Sequence, residues 1–219
     1  MIRTTHEYND AVTEDVTWRK KEISELRIAA KSRTKGISSP TLIRAGVPLL
    51  YAHFEGYTKS CATKYCEFLE GQKEKVFDLS SFAIAQAFKN QLDGCAASSS
   101  TRNFATLLDE FFENNVVKSF SINSSINTES NLSSVVLEKI YNSFGMDFSI
   151  YTPLDKTFID DSILGTRNMI AHGENHRVTL TEFIERCSTM ETLIDKIYTD
   201  FSNHVILKKH KKHPKRKFQ

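Results

Sequence analysis

Residues 39–68, SPTLIRAGVPLLYAHFEGYTKSCATKYCEF, decide how this chain folds. Within them Ile43, Val47, Leu50, Phe54, Tyr57, Cys61, Tyr65 and Phe68 follow one another at steps of about three or four. That spacing returns each side chain to the same side of a helical turn, so it predicts one long helix with a continuous apolar stripe. Ser39 offers an N-cap, and Pro40 fits the first turn, where its missing N–H would have no partner anyway. Pro48 is expected to bend the helix.

The same periodicity extends outward in both directions. Upstream, Val12, Val16, Ile23, Leu26 and Ala30 define a helix that Gly36 and the Ser38-Ser39 pair should end. Downstream, helices are expected from Ser80 to Leu92, stopped by Asp93-Gly94, and from Arg102 to Glu113 around Phe104, Leu107, Leu108 and Phe111. Residues 114–130 are rich in Ser and Asn and read as a loop or brief hairpin inserted between helices. Leu132 to Phe144 resumes helical spacing, with Gly145 as its stop. Thr152-Pro153 opens a further helix running through Phe158, Ile159 and Ile163 toward Ile170, and Gly173 ends it. Thr179 and Glu182 form a capping box before Phe183, Cys187, Met190, Ile194, Ile197 and Phe201, the stripe of a last long helix. Stripes of this length pack as an antiparallel bundle. Only 8 Gly and 4 Pro among 219 residues leave little material for the turns of an all-β fold. The expectation is an all-α bundle with additional short helices and an inserted polar loop, spanning 1–205, followed by a basic tail at 206–219.

That tail concentrates charge. Lys208, Lys209, Lys211, Lys212, Lys215, Arg216 and Lys217 fall in the last twelve residues, and removing these seven from the net +2 leaves −5 for the remainder. Such a run is either a solvated, disordered end or a salt-dependent hold on RNA phosphates, and the sequence supports both readings. The first residues carry acidic groups and no apolar core of a signal peptide, and no apolar run reaches membrane-spanning length, so a cytoplasmic protein is expected. Cys61, Cys66, Cys95 and Cys187 form no C-x-x-C pair and sit at helix positions, which predicts reduced, mostly buried thiols and no zinc site. His210 and His213 lie among lysines that would repel a cation.

The chemistry concentrates in Gly165-Thr166-Arg167-Asn168-Met169-Ile170-Ala171-His172-Gly173-Glu174, where a helix gives way to a turn. Arg167 and His172 are five residues apart, which an ideal helix sets about 140° apart around its axis. Gly173 ends the helix beside His172 and gives the imidazole room to swing. An Arg and a His at this spacing are also compatible with a purely structural role, Arg167 pairing with Asp160 or Asp161 and His172 capping carbonyls.

The run Arg167-Asn168-Met169-Ile170-Ala171-His172-Gly173 resembles the R-x4-6-H motif of HEPN domains in its R-N-x-x-A-H-G form, just before the last bundle helix. The segment from Arg44 to Tyr57 is similar to the LLYAHWEG helix of the small HEPN nuclease group related to RiboL-PSP-HEPN and MAE-like proteins. Together the resemblance covers roughly Thr41 to Tyr198 and is weakest between Gly94 and Ser149. It implies a metal-independent, cofactor-free endoribonuclease, often a toxin or antiviral effector, with its cleft across a homodimer. RNA supplies its own 2′-hydroxyl nucleophile, so such a site needs a proton carrier and a fixed cation, the roles that His172 and Arg167 would fill. Asn168 is a candidate to bind phosphate or orient His172, and Glu55 to orient Arg167 through a salt bridge or else to be an ordinary helix glutamate. His53 and Tyr57 are expected to pack in the core or a dimer interface. Partner-controlled HEPN toxins commonly carry R-x4-H-x-Y, and here Glu174 stands where that tyrosine would be, which argues against control by adenylylation and leaves another antitoxin or a larger defence complex open. The rival readings are a noncatalytic HEPN module binding RNA, nucleotide or protein, and a structural helical adaptor.

Overall fold

The computed structural model describes residues 1–32, 39–113 and 131–212. Among these residues there are helices and no strand. Three long helices form the frame: α1 (Thr5–Lys31), α2 (Ser39–Gln72) and α8 (Leu180–Ile206), each packed against the other two. Between α2 and α8 in sequence lie a short 3-10 turn (Val76–Asp78), α3 (Ser81–Ser98), α4 (Thr101–Glu113), α5 (Ser134–Ser143), α6 (Pro153–Thr157), a π-helical stretch (Phe158–Gly165) and α7 (Thr166–Ala171).

Every stripe residue read from α2, from Ile43 to Phe68, is buried. Each large apolar side chain so removed from water contributes roughly 2 kcal/mol of transfer free energy. The partners are as the pattern requires: Tyr8, Val12, Val16, Ile23 and Ala30 from α1, and Phe183, Cys187, Met190, Ile194, Ile197 and Phe201 from α8. Gly46 lets α2 and α8 close up, because a Cβ there would stand 2.5 Å from the Phe183 ring. Pro48 is held within the helix. Capping boxes start the outer two helices, Thr4 with Glu7 for α1 and Thr179 with Glu182 for α8. All four cysteines are free and buried, and burial pushes the Cys61 and Cys66 thiols up to about 12.

The structure departs from the sequence reading in three places. First, α3 runs through Asp93-Gly94 to Ser98, and Ser99 takes the left-handed cap with φ 49°. A glycine inside a helix costs only about 1 kcal/mol relative to alanine, and the Lys89–Asp93 pair and the buried Cys95 on either side continue the helix. Second, the helix from Pro153 to Ala171 is not uniform, since its middle is wound as a π-helix. Third, the segment expected as a solvated tail from 206 lies folded on the body as far as Lys212. Ile206 is still helical, Ser80 N–H donates to the His210 carbonyl at 2.7 Å, and Lys212 N–H donates to the Asp78 carbonyl at 2.8 Å. The His210 ring is 1% exposed and meets Phe68 edge-on, while Lys211 reaches Glu74. The reading of 114–130 as a loop or hairpin, the end of α1 at Gly36, and Lys215, Arg216 and Lys217 lie outside the described residues.

Candidate active site

Thr152 caps α6 with Asp155 as its box partner, and the chain then widens into the π-helical turns. Gly165 closes that stretch, and a Cβ on it would stand 3.3 Å from the Asp160 carbonyl oxygen. α7 follows without a break, turned toward α2 with Thr166 buried and Arg167 half-buried.

The surroundings of Arg167 fix its guanidinium group. Nη1 donates to Asn168 Oδ1 at 2.8 Å and to Asn131 Oδ1 at 2.9 Å, and the guanidinium carbon lies 4.8 Å from the centre of the Tyr51 ring. Both hydrogen bonds use one nitrogen. Among the described residues nothing bonds the Nε and Nη2 edge, and no carboxylate pairs with the group. That edge is the planar fork that engages two oxygens of a phosphate at once. The structural alternative for Arg167, a pair with Asp160 or Asp161, is not what forms. The Asp160 carboxylate accepts instead from Ser134 N–H at 2.7 Å and from its hydroxyl at 2.5 Å, fixing the start of α5.

Tyr51 is buried and ties the site together. Its hydroxyl oxygen accepts from Leu132 N–H at 2.6 Å, and burial, joined by the negative charge of Glu55 one turn along α2, pushes the phenol up to about 12. Glu55 also forms an ion pair with Lys59 at 2.8 Å. Glu55 thus makes the i,i+4 pair of an ordinary helix glutamate, one of the two readings the sequence left open, and forms no direct salt bridge with Arg167. Asn131, Leu132 and Ser134 stitch the approach to α5 onto Arg167, Tyr51 and Asp160 in turn.

His172 sits where the helix ends. Its N–H bonds to the Asn168 carbonyl at 2.9 Å, and Gly173 at φ +80° turns the chain away. The imidazole is exposed to solvent. Asn168 is thus brought onto Arg167, while His172 stands at the surface one turn on. His53 lies elsewhere, buried between α1 and α2 beside Trp18 with Nε2 3.0 Å from Glu22, and burial lowers its pKa. Tyr57 is core, its hydroxyl reaching the Val12 carbonyl. Lys208, Lys209 and Lys212 are exposed and Lys211 is half-buried. Among the described residues no group of His, Cys, Asp and Glu could hold a metal ion, and no helix is long and apolar enough to cross a membrane.

Tyr51 and Asn131 were not singled out from the sequence. Tyr51 stands within the family-like segment of α2, which was a usable signal. Asn131 follows a polar stretch without periodicity and gave none.

A family model described as HEPN_MAE_28990-like HEPN matches residues 8–210, from the first turn of α1 to beyond the end of α8, and HEPN domains point to nuclease or other RNA-related function. No curated protein and no solved structure matches the chain.

Proposed function

The chain belongs to the HEPN_MAE_28990-like HEPN family, and from that premise we propose that it is a metal-independent endoribonuclease acting as a toxin or antiviral defence effector. The observation that carries this reading is the Arg167 guanidinium, fixed by two amides and an aromatic ring while no carboxylate among the described residues pairs with it. A group held in place before substrate arrives stabilises the charge that develops in a transition state without reorganising first.

In the proposed reaction the RNA 2′-hydroxyl attacks the adjacent phosphorus and the bond to the 5′-oxygen of the next nucleotide breaks. The products are a 2′,3′-cyclic phosphate and a free 5′-hydroxyl. His172 takes the proton from the nucleophile or delivers one to the leaving oxygen, and Arg167 holds the non-bridging oxygens. Asn168 and Asn131 hold the arginine, and the Leu132 N–H bound to the Tyr51 hydroxyl fixes the ring beneath it. The test is incubation of purified protein with total RNA in excess EDTA. Cleavage lost in His172→Ala and Arg167→Ala supports the reading; no cleavage by wild type under any condition leaves a noncatalytic module binding RNA, nucleotide or a protein partner.

The exposure of His172 supports a homodimer as the active unit. One copy offers a single imidazole at a helix end, whereas two copies facing across a twofold axis would make a groove lined by two cations and two imidazoles. Mixing Arg167→Ala with His172→Ala chains, each inactive alone, should restore cleavage if the residues are shared between subunits. A monomer by light scattering that still cleaves RNA would remove the dimer.

A further inference from the structure

Beyond His172 the chain does not leave the surface at once. Glu174 N–H bonds back to the Met169 carbonyl at 2.9 Å and His176 N–H to the Glu174 carbonyl at 2.8 Å, so the loop is pinned to the end of α7. Arg44, from the first turns of α2, donates to the His176 carbonyl at 3.1 Å and pins its other end. Between this loop and the start of α2 lies an open cleft of about 570 Å³, lined among others by Arg44, Asn175, His176, Arg177 and Thr179. Arg177 is exposed, and neither it nor Arg44 forms an ion pair with a carboxylate among the described residues. The nearest acidic group of α8, Glu182, is engaged by the backbone N–H and hydroxyl of Thr179.

Two arginines with no carboxylate partner among the described residues, in one cleft lined also by an amide and an imidazole, suit an anion with several oxygens and repel cations. His176 is four steps along the chain from His172, at most about 14 Å when fully extended. The cleft is thus close enough to the proposed proton carrier to hold phosphates of the same strand. We infer that this cleft is the subsite for the backbone of single-stranded RNA flanking the cleaved bond, with Arg177 and Arg44 binding its phosphates. The inference deepens the ribonuclease reading and rests on it for the identity of the ligand. Arg44 has two tasks, holding the loop through one N–H and offering the rest of its guanidinium to the cleft. The basic C-terminal residues need not carry the RNA alone.

The experiment uses full-length protein and a fluorescein-labelled single-stranded RNA oligonucleotide with 2′-O-methyl sugars, which keeps the phosphates and lacks the nucleophile. Fluorescence anisotropy titrations across a salt series give the slope of log affinity against log salt. Arg177→Gln should weaken binding several-fold and reduce the slope by about 0.7, the value expected when one phosphate fewer is neutralised on a single strand. Arg44→Gln should do the same, with circular dichroism reporting whether the fold is retained. Arg102→Gln, an exposed arginine on α4 away from the cleft, should leave affinity and slope unchanged. Wild-type slope in Arg177→Gln, an equal loss in Arg102→Gln, or no binding of the oligonucleotide by wild type would each overturn the inference. Failure of the two readings is separable. Protein that binds through Arg177 but cuts no RNA keeps the subsite and loses the nuclease, whereas cleavage with an unchanged KM in Arg177→Gln keeps the nuclease and loses the subsite.

Discussion

Lowering the pH from 7 to 4.5 should remove about 3 kcal/mol of folding stability, and the end of α8 is where most of it goes. His204 and His210 are both buried, and both are pushed down to about 4 from the ordinary 6.5, chiefly by burial. The neighbouring charges add to this: His210 and Lys209 act on His204, and Lys211 and Lys208 act on His210, with Glu74 opposing. A histidine whose folded pKa lies below its unfolded value binds its proton first in the unfolded chain. Its contribution is therefore intact above about 6.5 and is lost as the pH falls toward 4. At about 1.36 kcal/mol per unit, each histidine has lost roughly 2 kcal/mol by pH 4.5. Asp200 works the other way. Burial raises it to about 6, with Asp147 adding and Tyr141 and Lys196 opposing, so the folded state takes up its proton first and regains roughly 1 kcal/mol over the same fall, once solvent screening of the half-exposed carboxyl is allowed for. Asp15 and Asp155, both lowered, release their contributions only below about 3.8, outside the window, whereas His53, lowered by burial, adds to the loss within it. Urea denaturation followed by circular dichroism at pH 7, 5.5 and 4.5 measures the net loss. His210→Leu should reduce it to about 1 kcal/mol, and Asp200→Asn should enlarge it to about 4. Equal stability at pH 7 and 4.5, or the same loss in His210→Leu as in wild type, would refute the reasoning.

Four further outcomes are expected. Arg167→Lys keeps a charge but loses the fork and the two-amide clamp, and should lower the rate of RNA cleavage by roughly 100-fold or more in EDTA-treated assays. Tyr51→Phe keeps the ring under Arg167 but leaves the Leu132 N–H unpaired, which should cost about 1–3 kcal/mol in a urea melt. Gly46→Ala drives a Cβ into the Phe183 ring and should cost about 1–3 kcal/mol by overpacking, read as a lowered Tm. Asp160→Ala removes the carboxylate that fixes the start of α5, and with it the approach that carries Asn131; a loss of about 1 kcal/mol together with reduced cleavage is expected, whereas stability loss with unchanged cleavage would separate Asn131 from the site.

The frame was legible because its signals are local. The stripe of α2, the capping box of α8 and the stop at Gly145 each lie within a few residues of what they dictate, and the structure places all three where the spacing puts them. The motif letters from Arg167 to His172 were legible for the same reason, helped by the resemblance. What was not legible depends on partners distant in sequence. Nothing near Asn131 says that it will meet Arg167, and nothing near His210 says that a run of lysines will be interrupted by a ring seated on Phe68. The π-helical turns escaped because the apolar spacing of Ile159 and Ile163 fits an ordinary helix equally well. Asp93-Gly94 misled because a turn signal in an exposed stretch gives way when the residues after it find a buried partner, as Cys95 does.

The clamp on Arg167 also sets an order of events during synthesis. Asn131 lies 36 residues before Arg167, and the Tyr51 hydroxyl meets a backbone N–H 81 residues further along. Contacts of such span form only after the intervening chain has closed its loops, so they come late in folding. An emerging polypeptide that has already exposed the letters of the motif has no ring, no amides and no supporting helix behind its arginine. The guanidinium reaches its working posture when α2, the approach to α5 and α7 have docked together, which ties the competence of the site to completion of the fold.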